Sequence, residues 1–122
     1  MSCSAALASA RAFKFSHPHL MNQPGLADNR ITVAYWQARM TCRGYYSGPV
    51  DGIWGPNSRA AVQQDMAARY SYTGPIDGVW GVNTWAAIQR FAAAEGGYSG
   101  PIDGVPGPNT WTGIFGAVVD ML

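Results

Sequence analysis

Gly74-Pro75-Ile76-Asp77-Gly78-Val79-Trp80-Gly81-Val82-Asn83-Thr84-Trp85 is the stretch that decides the fold, because the chain repeats it. Twenty-six residues upstream it reads Gly48-Pro49-Val50-Asp51-Gly52-Ile53-Trp54-Gly55-Pro56-Asn57-Ser58-Arg59. Twenty-six residues downstream it reads Gly100-Pro101-Ile102-Asp103-Gly104-Val105-Pro106-Gly107-Pro108-Asn109-Thr110-Trp111. A gapless period of this length signals stacked supersecondary units. Each copy is punctuated in the same way. Gly-Pro marks a turn, Asp-Gly a second tight turn, and a further Gly follows three residues on. Asn-Ser or Asn-Thr then offers a helix N-cap, whose side-chain oxygen accepts a free backbone N–H.

The segments between the loops repeat too. Ala61-Val62-Gln63, Ala87-Ile88-Gln89 and Gly113-Ile114-Phe115 share one offset, and Tyr35-Trp36-Gln37 lies one period earlier. Apolar residues recur at i, i+3 and i+4: Val33, Trp36 and Met40; Val62, Met66 and Tyr70; Ile88, Phe91 and Ala92; Trp111, Ile114, Phe115 and Val118. Glu95 belongs at the rim of its helix. The spacing predicts an all-α chain with helices near 30–43, 58–70, 83–95 and 109–121. The loops between them fall at 44–57, 71–83 and 97–109.

Trp36-Gln37, Gly44-Tyr45, Gly48, Val50-Asp51-Gly52, Trp54-Gly55, Ser58 and Ala61-Val62 together resemble the peptidoglycan-binding repeat of cell-wall hydrolases. The third copy is similar to tandem cell-wall-binding repeats in endolysins of phages infecting Gram-positive bacteria. The resemblance covers about residues 30–122. It implies a small helical bundle of helix–loop–helix repeats, with ligand held in a shallow groove between a loop and the next helix. It also implies that the aromatic after Asp-Gly packs inward and pins the loop. Two positions depart from the pattern: Asp65 stands where the second copy has Phe91, and Pro106 replaces Trp54 and Trp80.

The 122 residues have room for one modest core. A formal net charge of +1 provides no basic field, which argues against nucleic acid as a partner. From residue 31 onward five Arg face six acids, so electrostatic capture of anionic wall polymers is also disfavoured. Residues 1–29 differ in character and are expected to form an extended N-terminal arm ahead of the repeat domain at 30–122. Phe13-Lys14-Phe15 alternates like a strand and is the candidate partner contact, with both Phe rings on one face. Ala8-Ser9-Ala10 hints at a signal-peptidase site, but no basic segment or sufficient apolar run accompanies it. No span reaches transmembrane length. His17-Pro18-His19 supplies two ligands at most and reads as a surface loop, so no metal or other cofactor is expected. Asp28 or Asn29 suits the cap of the first repeat helix. Cys42 reads as a buried free thiol, with a disulfide to Cys3 as the alternative.

Asp51, Asp77 and Asp103 recur at the period. Each precedes a glycine and reads as a structural turn former whose carboxylate accepts backbone N–H groups. One carboxylate per loop is too few for a calcium site. No carboxylate pair suits glycosidase chemistry, and no base stands near a cysteine, so no catalytic residue is assigned. The candidate ligand-binding residues are the periodic aromatics Tyr46, Trp54, Tyr72, Trp80, Trp85, Tyr98 and Trp111. Trp54 and Trp80 serve either as core packing or as platforms for the C–H faces of sugars. Arg59 occupies the Trp85 and Trp111 position in the first copy, which predicts that this position is not deeply buried.

The sequence therefore reads as a module that binds and does not catalyse, with bacterial peptidoglycan as partner, phage-encoded by resemblance. It would act in the virion, or in the cell wall and outside the cell after lysis, without contact to membrane. The alternative is a structural protein of a phage particle that uses the same fold to hold other phage proteins through the N-terminal arm. The chain shows neither a catalytic domain nor a clear export signal, which sets it apart from a complete endolysin.

Overall fold

Ile31 to Thr41 are buried without interruption. An amphipathic helix resting on a core would leave one face in water. Here the helix is covered on every side and forms the centre of the molecule. The computed structural model describes residues 1–119. Among them are α1 (Cys3–Ser16), α2 (Arg30–Cys42), α3 (Pro56–Arg69), α4 (Val82–Gly96) and α5 (Pro108–Val118), with a short 3₁₀ turn at Pro18–Asn22 and no strand. The central helix is α2, and α1, α3 and α5 all pack on it. α3 meets α4, and α4 packs closely against α5. The expected all-α bundle is present.

The extended arm is not. Residues 3–16 form a helix, because the Ala-rich run Ala5-Ala6-Leu7-Ala8-Ser9-Ala10 has strong helix propensity that outweighs the three-residue alternation at Phe13. Ser2 caps the helix by accepting the Ala5 N–H at 3.1 Å. Ala6 and Ala10 are fully buried, and their small side chains let α1 lie close against α2. Residues two apart on a helix point about 200° away from each other, so Phe13 and Phe15 do not share a face. Phe13 is half-buried, stacked on His17 at 4.1 Å between ring centres and covered by the Arg30 guanidinium at 4.8 Å. Phe15 is 76% exposed.

Cys42 is not a free thiol. It is bonded to Cys3, so the two helices run antiparallel and are tied at one end. Closing a loop with a sequence separation of 39 stabilises a fold by about 4 kcal/mol through restriction of the unfolded chain. The other end is tied by Asn29. Its Oδ1 accepts the Ile31 N–H at 3.0 Å, while its Nδ2 donates to the carbonyls of Leu20 and Gln23, both at 2.9 Å.

The later helices begin slightly before their expected starts. Gly55, Gly81 and Gly107 are the N-caps, not the asparagines. Pro56 and Pro108 take the first helical position, where a missing N–H costs nothing. The Gly55 and Gly107 N–H groups donate to the hydroxyls of Ser58 and Thr110 at 3.1 and 3.4 Å. The end of the helix expected at 109–121 falls on residues 120–122, outside the described residues.

The α4–α5 contact depends on glycine. A Cβ built on Gly96 would lie 1.7 Å from the Gly113 carbonyl oxygen, which no side-chain movement can relieve. Gly96→Ala is expected to destabilise the fold by roughly 3 kcal/mol, read as a lower urea midpoint. An unchanged midpoint would show that the two helices separate easily.

Candidate functional site

Each loop is held by one glutamine of the helix before it. Gln63, on α3, is fully buried. Its Oε1 accepts the N–H groups of Asp77 at 3.1 Å and Gly78 at 2.8 Å. Its Nε2 donates to the Val79 carbonyl at 2.9 Å and to Asp77 Oδ1 at 3.3 Å. One side-chain amide thus substitutes for a strand partner along three loop residues. Gln37 does the same for Asp51, Gly52 and Ile53, and Gln89 for Asp103, Gly104 and Val105. A loop without regular structure must pair its buried backbone groups somewhere. Here it pairs them with the core.

The aspartates complete each turn. Asp51, Asp77 and Asp103 accept the N–H of Ile53, Val79 and Val105, each at 3.0 Å. The backbone N–H of Val79 is the main cause holding the Asp77 carboxyl below its ordinary value, and the N–H of Val105 does the same at Asp103. Gly78 has φ +77° and sits where a Cβ would fall 2.9 Å from the Pro56 carbonyl oxygen, so the loop backbone lies directly on the start of α3. Asp-Gly is therefore required for both the left-handed turn and the close approach.

The tyrosines close the other side of the loops. Tyr46, Tyr72 and Tyr98 donate their hydroxyls to the carbonyls of Pro49, Pro75 and Pro101 at 2.7, 2.6 and 2.7 Å. Burial raises the Tyr46 pKa. These three candidate ligand-binding tyrosines thus use their hydroxyl hydrogens inside their own loops.

The tryptophans form a connected ladder. Trp36 and Trp80 are 5.4 Å apart, Trp54 and Trp80 4.9 Å, Trp80 and Trp85 5.2 Å, and Trp85 and Trp111 5.6 Å. Most meet edge to face, the arrangement favoured by ring quadrupoles. The Trp54 indole donates to Asp28 Oδ1 at 2.9 Å and the Trp80 indole to the Arg59 carbonyl at 3.0 Å. Trp85 is half-buried. Trp111 is only 5% exposed, against the expectation drawn from Arg59. Arg59 keeps its place in the ladder by lying over Trp80 at 4.8 Å and Trp54 at 5.6 Å. A guanidinium plane can fill an aromatic's position, so an Arg in one copy does not imply exposure in the others.

A separate polar knot lies away from the loops. Arg39 binds Glu95 at 2.7 Å, and the Tyr70 hydroxyl donates to the same carboxylate. Burial first, and then Glu95, push Tyr70 up to about 12. Burial would raise Glu95, but the hydrogen bonds from Tyr70 and Arg39 outweigh it and hold the carboxyl below its ordinary value. Asp65, fully buried, faces Arg69 at 3.0 Å and Arg43 at 3.5 Å, which explains how a carboxylate replaces the aromatic of the second copy.

Small clefts lie beside the loops among the described residues. One of about 260 Å³ lies between Gly48-Pro49 and the start of α3, lined by Ile53, Trp54 and Asn57. Its counterpart of about 280 Å³ lies between Gly74-Pro75 and the start of α4, lined by Val79, Val82 and Asn83. A second pair, of about 240 and 270 Å³, lies beside Tyr46 and Tyr98 at the first turns of α3 and α5. Among the described residues no group of three or more His, Cys, Asp or Glu is placed to hold a metal ion. No described helix is long and apolar enough to cross a membrane.

Residues 61–114 match the family described as "Putative peptidoglycan binding domain". The match runs from the middle of α3 through the second and third loops into α5. No curated protein and no solved structure matches the chain.

Two outcomes test the loop geometry. Gln63→Ala leaves the Asp77 and Gly78 N–H groups and the Val79 carbonyl without their partner and is expected to cost about 3 kcal/mol, measured by urea melting. Stability should also fall in acid. The folded carboxyls of Asp77 and Asp103 bind protons less tightly than the usual 3.8, so their contribution is complete above that value and lost as pH falls through the lower folded value. A melting temperature that stays level from neutral pH to well below 3.8 would contradict this.

Proposed function

We propose, from the match of residues 61–114 to the peptidoglycan binding domain family, that the chain is a non-catalytic module that attaches to bacterial cell wall. The observation that carries this is the same clamped loop, built three times with a cleft beside it, on a nearly neutral surface. Repeated neutral clefts suit a repeating, largely uncharged polymer. Trp85, half-buried and without a hydrogen-bond partner for its indole N–H among the described residues, is the ladder member best placed to extend the contact.

The chemistry of the side chains supports a binding role without catalysis. Each described carboxylate is engaged: Asp28 by Trp54, three Asp in the loop turns, and Asp65 and Glu95 by arginines. A general acid or base needs a group free to exchange a proton with substrate. The Cys3–Cys42 disulfide supports a site of action in oxidising surroundings, outside the cytoplasm. A phage source rests on the resemblance of the third loop to endolysin repeats. The alternative role, docking in a phage particle through residues 1–29, loses its main support. That segment packs on α2 as a helix tied by the disulfide, and Phe13 and Phe15 do not share a face for an outside contact.

Purified protein is expected to co-sediment with isolated peptidoglycan, and to do so in high salt, because screening removes little from a surface of such low charge. It should release neither reducing sugar nor free amines from the walls at any pH from acid to neutral. Loss of co-sedimentation in high salt would replace this reading with an electrostatic one. Measurable release would make the chain an enzyme.

A further inference from the structure

Asn57, Asn83 and Asn109 occupy one position in the repeat, in the first turn of α3, α4 and α5. Asparagine here would ordinarily cap the helix, but in this fold the glycines take that place and the Ser58 and Thr110 hydroxyls bind the free N–H groups. All three asparagines are exposed, and none makes a side-chain hydrogen bond among the described residues. The fold assigns them no work, yet each lines a cleft. Asn57 lines both clefts of the first repeat, Asn83 the cleft of the second and Asn109 that of the third.

The linings restrict the ligand. Two of them contain proline and aliphatic surface, Pro49 and Ile53 or Pro75 and Val79, and the cleft of Asn109 is walled by Tyr98, Thr112 and glycines; all carry hydroxyl and amide groups. Asp51 is the one charged side chain in the four clefts, and it is an anion. A ligand carboxylate would find no cation there and would lose its hydration uncompensated. Peptidoglycan has charged stem peptides and a neutral glycan strand, so the clefts favour the strand. What distinguishes that strand from other neutral β-linked glycans is the acetamido group at the second carbon of each sugar. A primary amide offers a donor for the acetyl carbonyl of one acetamido group or an acceptor for its N–H, which point in opposite directions in the trans group. The acetyl methyl then falls on the proline and aliphatic wall beside Asn57 and Asn83, and on the Tyr98 ring beside Asn109.

We propose that Asn57, Asn83 and Asn109 read the acetamido groups of N-acetylated amino sugars in the adjoining clefts. This rests on the wall-binding reading and names the part of the wall that is bound. Several such contacts on one chain make binding strengthen with strand length, since each later contact forms at high effective concentration.

Titration calorimetry with three probes tests it: β-1,4-linked N-acetylglucosamine oligomers, glucose oligomers of the same linkage with a hydroxyl in place of the acetamido group, and a free stem peptide. The N-acetylated oligomers should bind, more tightly with length, and the glucose oligomers roughly tenfold more weakly or not at all. The combined variant Asn57→Ala, Asn83→Ala, Asn109→Ala should lose about tenfold or more in affinity while melting like the parent. Asn83→Asp, which keeps the shape and removes the donor, should weaken binding in the same direction. Equal binding of the two oligomer series, or undiminished binding by the variants, overturns the assignment. Should the triple variant fail to fold, the comparison of oligomers on the parent protein still decides. The two readings fail separately. Parent protein that does not sediment with whole peptidoglycan sinks wall binding itself. Parent protein that sediments but is displaced by stem peptide and not by N-acetylated oligomers sinks only the role of the asparagines.

Discussion

A glutamine amide buried in a helical core is the constraint from which the loops take their shape. Left without partners, such a group costs several hydrogen bonds' worth of stability. In this chain the cost is offset by turning each amide outward to the backbone of the next loop. Oε1 takes two consecutive N–H groups, and Nε2 takes a carbonyl two residues after the first of them. The loop cannot slide, because a shift of one residue would leave both ends unpaired. Asp-Gly is needed where it is because the same turn must present two adjacent N–H groups to one oxygen. The clefts then follow as the space between a fixed loop and the helix it leads into.

The same constraint explains why α2 must be buried from all sides. Its Gln37 faces the first loop, and its Trp36 faces Trp54, Trp80 and Phe91. The opposite side carries Tyr35, Ala34 and Ala38, all fully buried. Helices α3 to α5 can cover only the repeat-facing side. Helix α1 covers the other, and the disulfide holds it there. A chain this small buries a limited fraction of its surface, so a covalent tie on the one helix outside the repeat meets a real shortage of core.

The repeating part of this architecture was legible in the sequence, since a gapless period fixes loops and helices together. Helix positions agree within a few residues over the described part. Less was legible of what the periodic residues do. Gln63 and Gln89 sit at the same offset in the sequence, yet glutamine is usually a surface residue, and nothing local marks it as buried. Its partners lie 14 to 16 residues away, beyond the reach of any periodicity argument. Helix α1 was missed because Phe13-Lys14-Phe15 alternates over three residues, too short a run to outweigh the alanines before it. The sequence leaves the Cys3–Cys42 disulfide only as the alternative to a free thiol, because pairing depends on how α1 docks. Trp111 is more buried than Arg59 at its position in the first copy suggests, because that guanidinium lies over two indoles and not in solvent.

The aromatic ladder bears on where a ligand can sit. Sugar-stacking platforms need an open ring face and gain from a free indole N–H. Trp54 and Trp80 give their N–H groups to Asp28 and the Arg59 carbonyl, and their rings to each other, to Trp36 and to the arginine. Those rings fix the loops relative to the core. The tyrosine hydroxyls are engaged in the same way, by proline carbonyls three residues on. Trp54, Trp80 and the three tyrosines therefore help to build the loops. In the proposed wall-binding reading, contact falls to Trp85, whose indole N–H the loops leave unpaired, and to the proline, aliphatic and amide surface between the loops. In that reading the site makes many weak neutral contacts and no strong one. It becomes effective only by repetition along a polymer whose own units repeat.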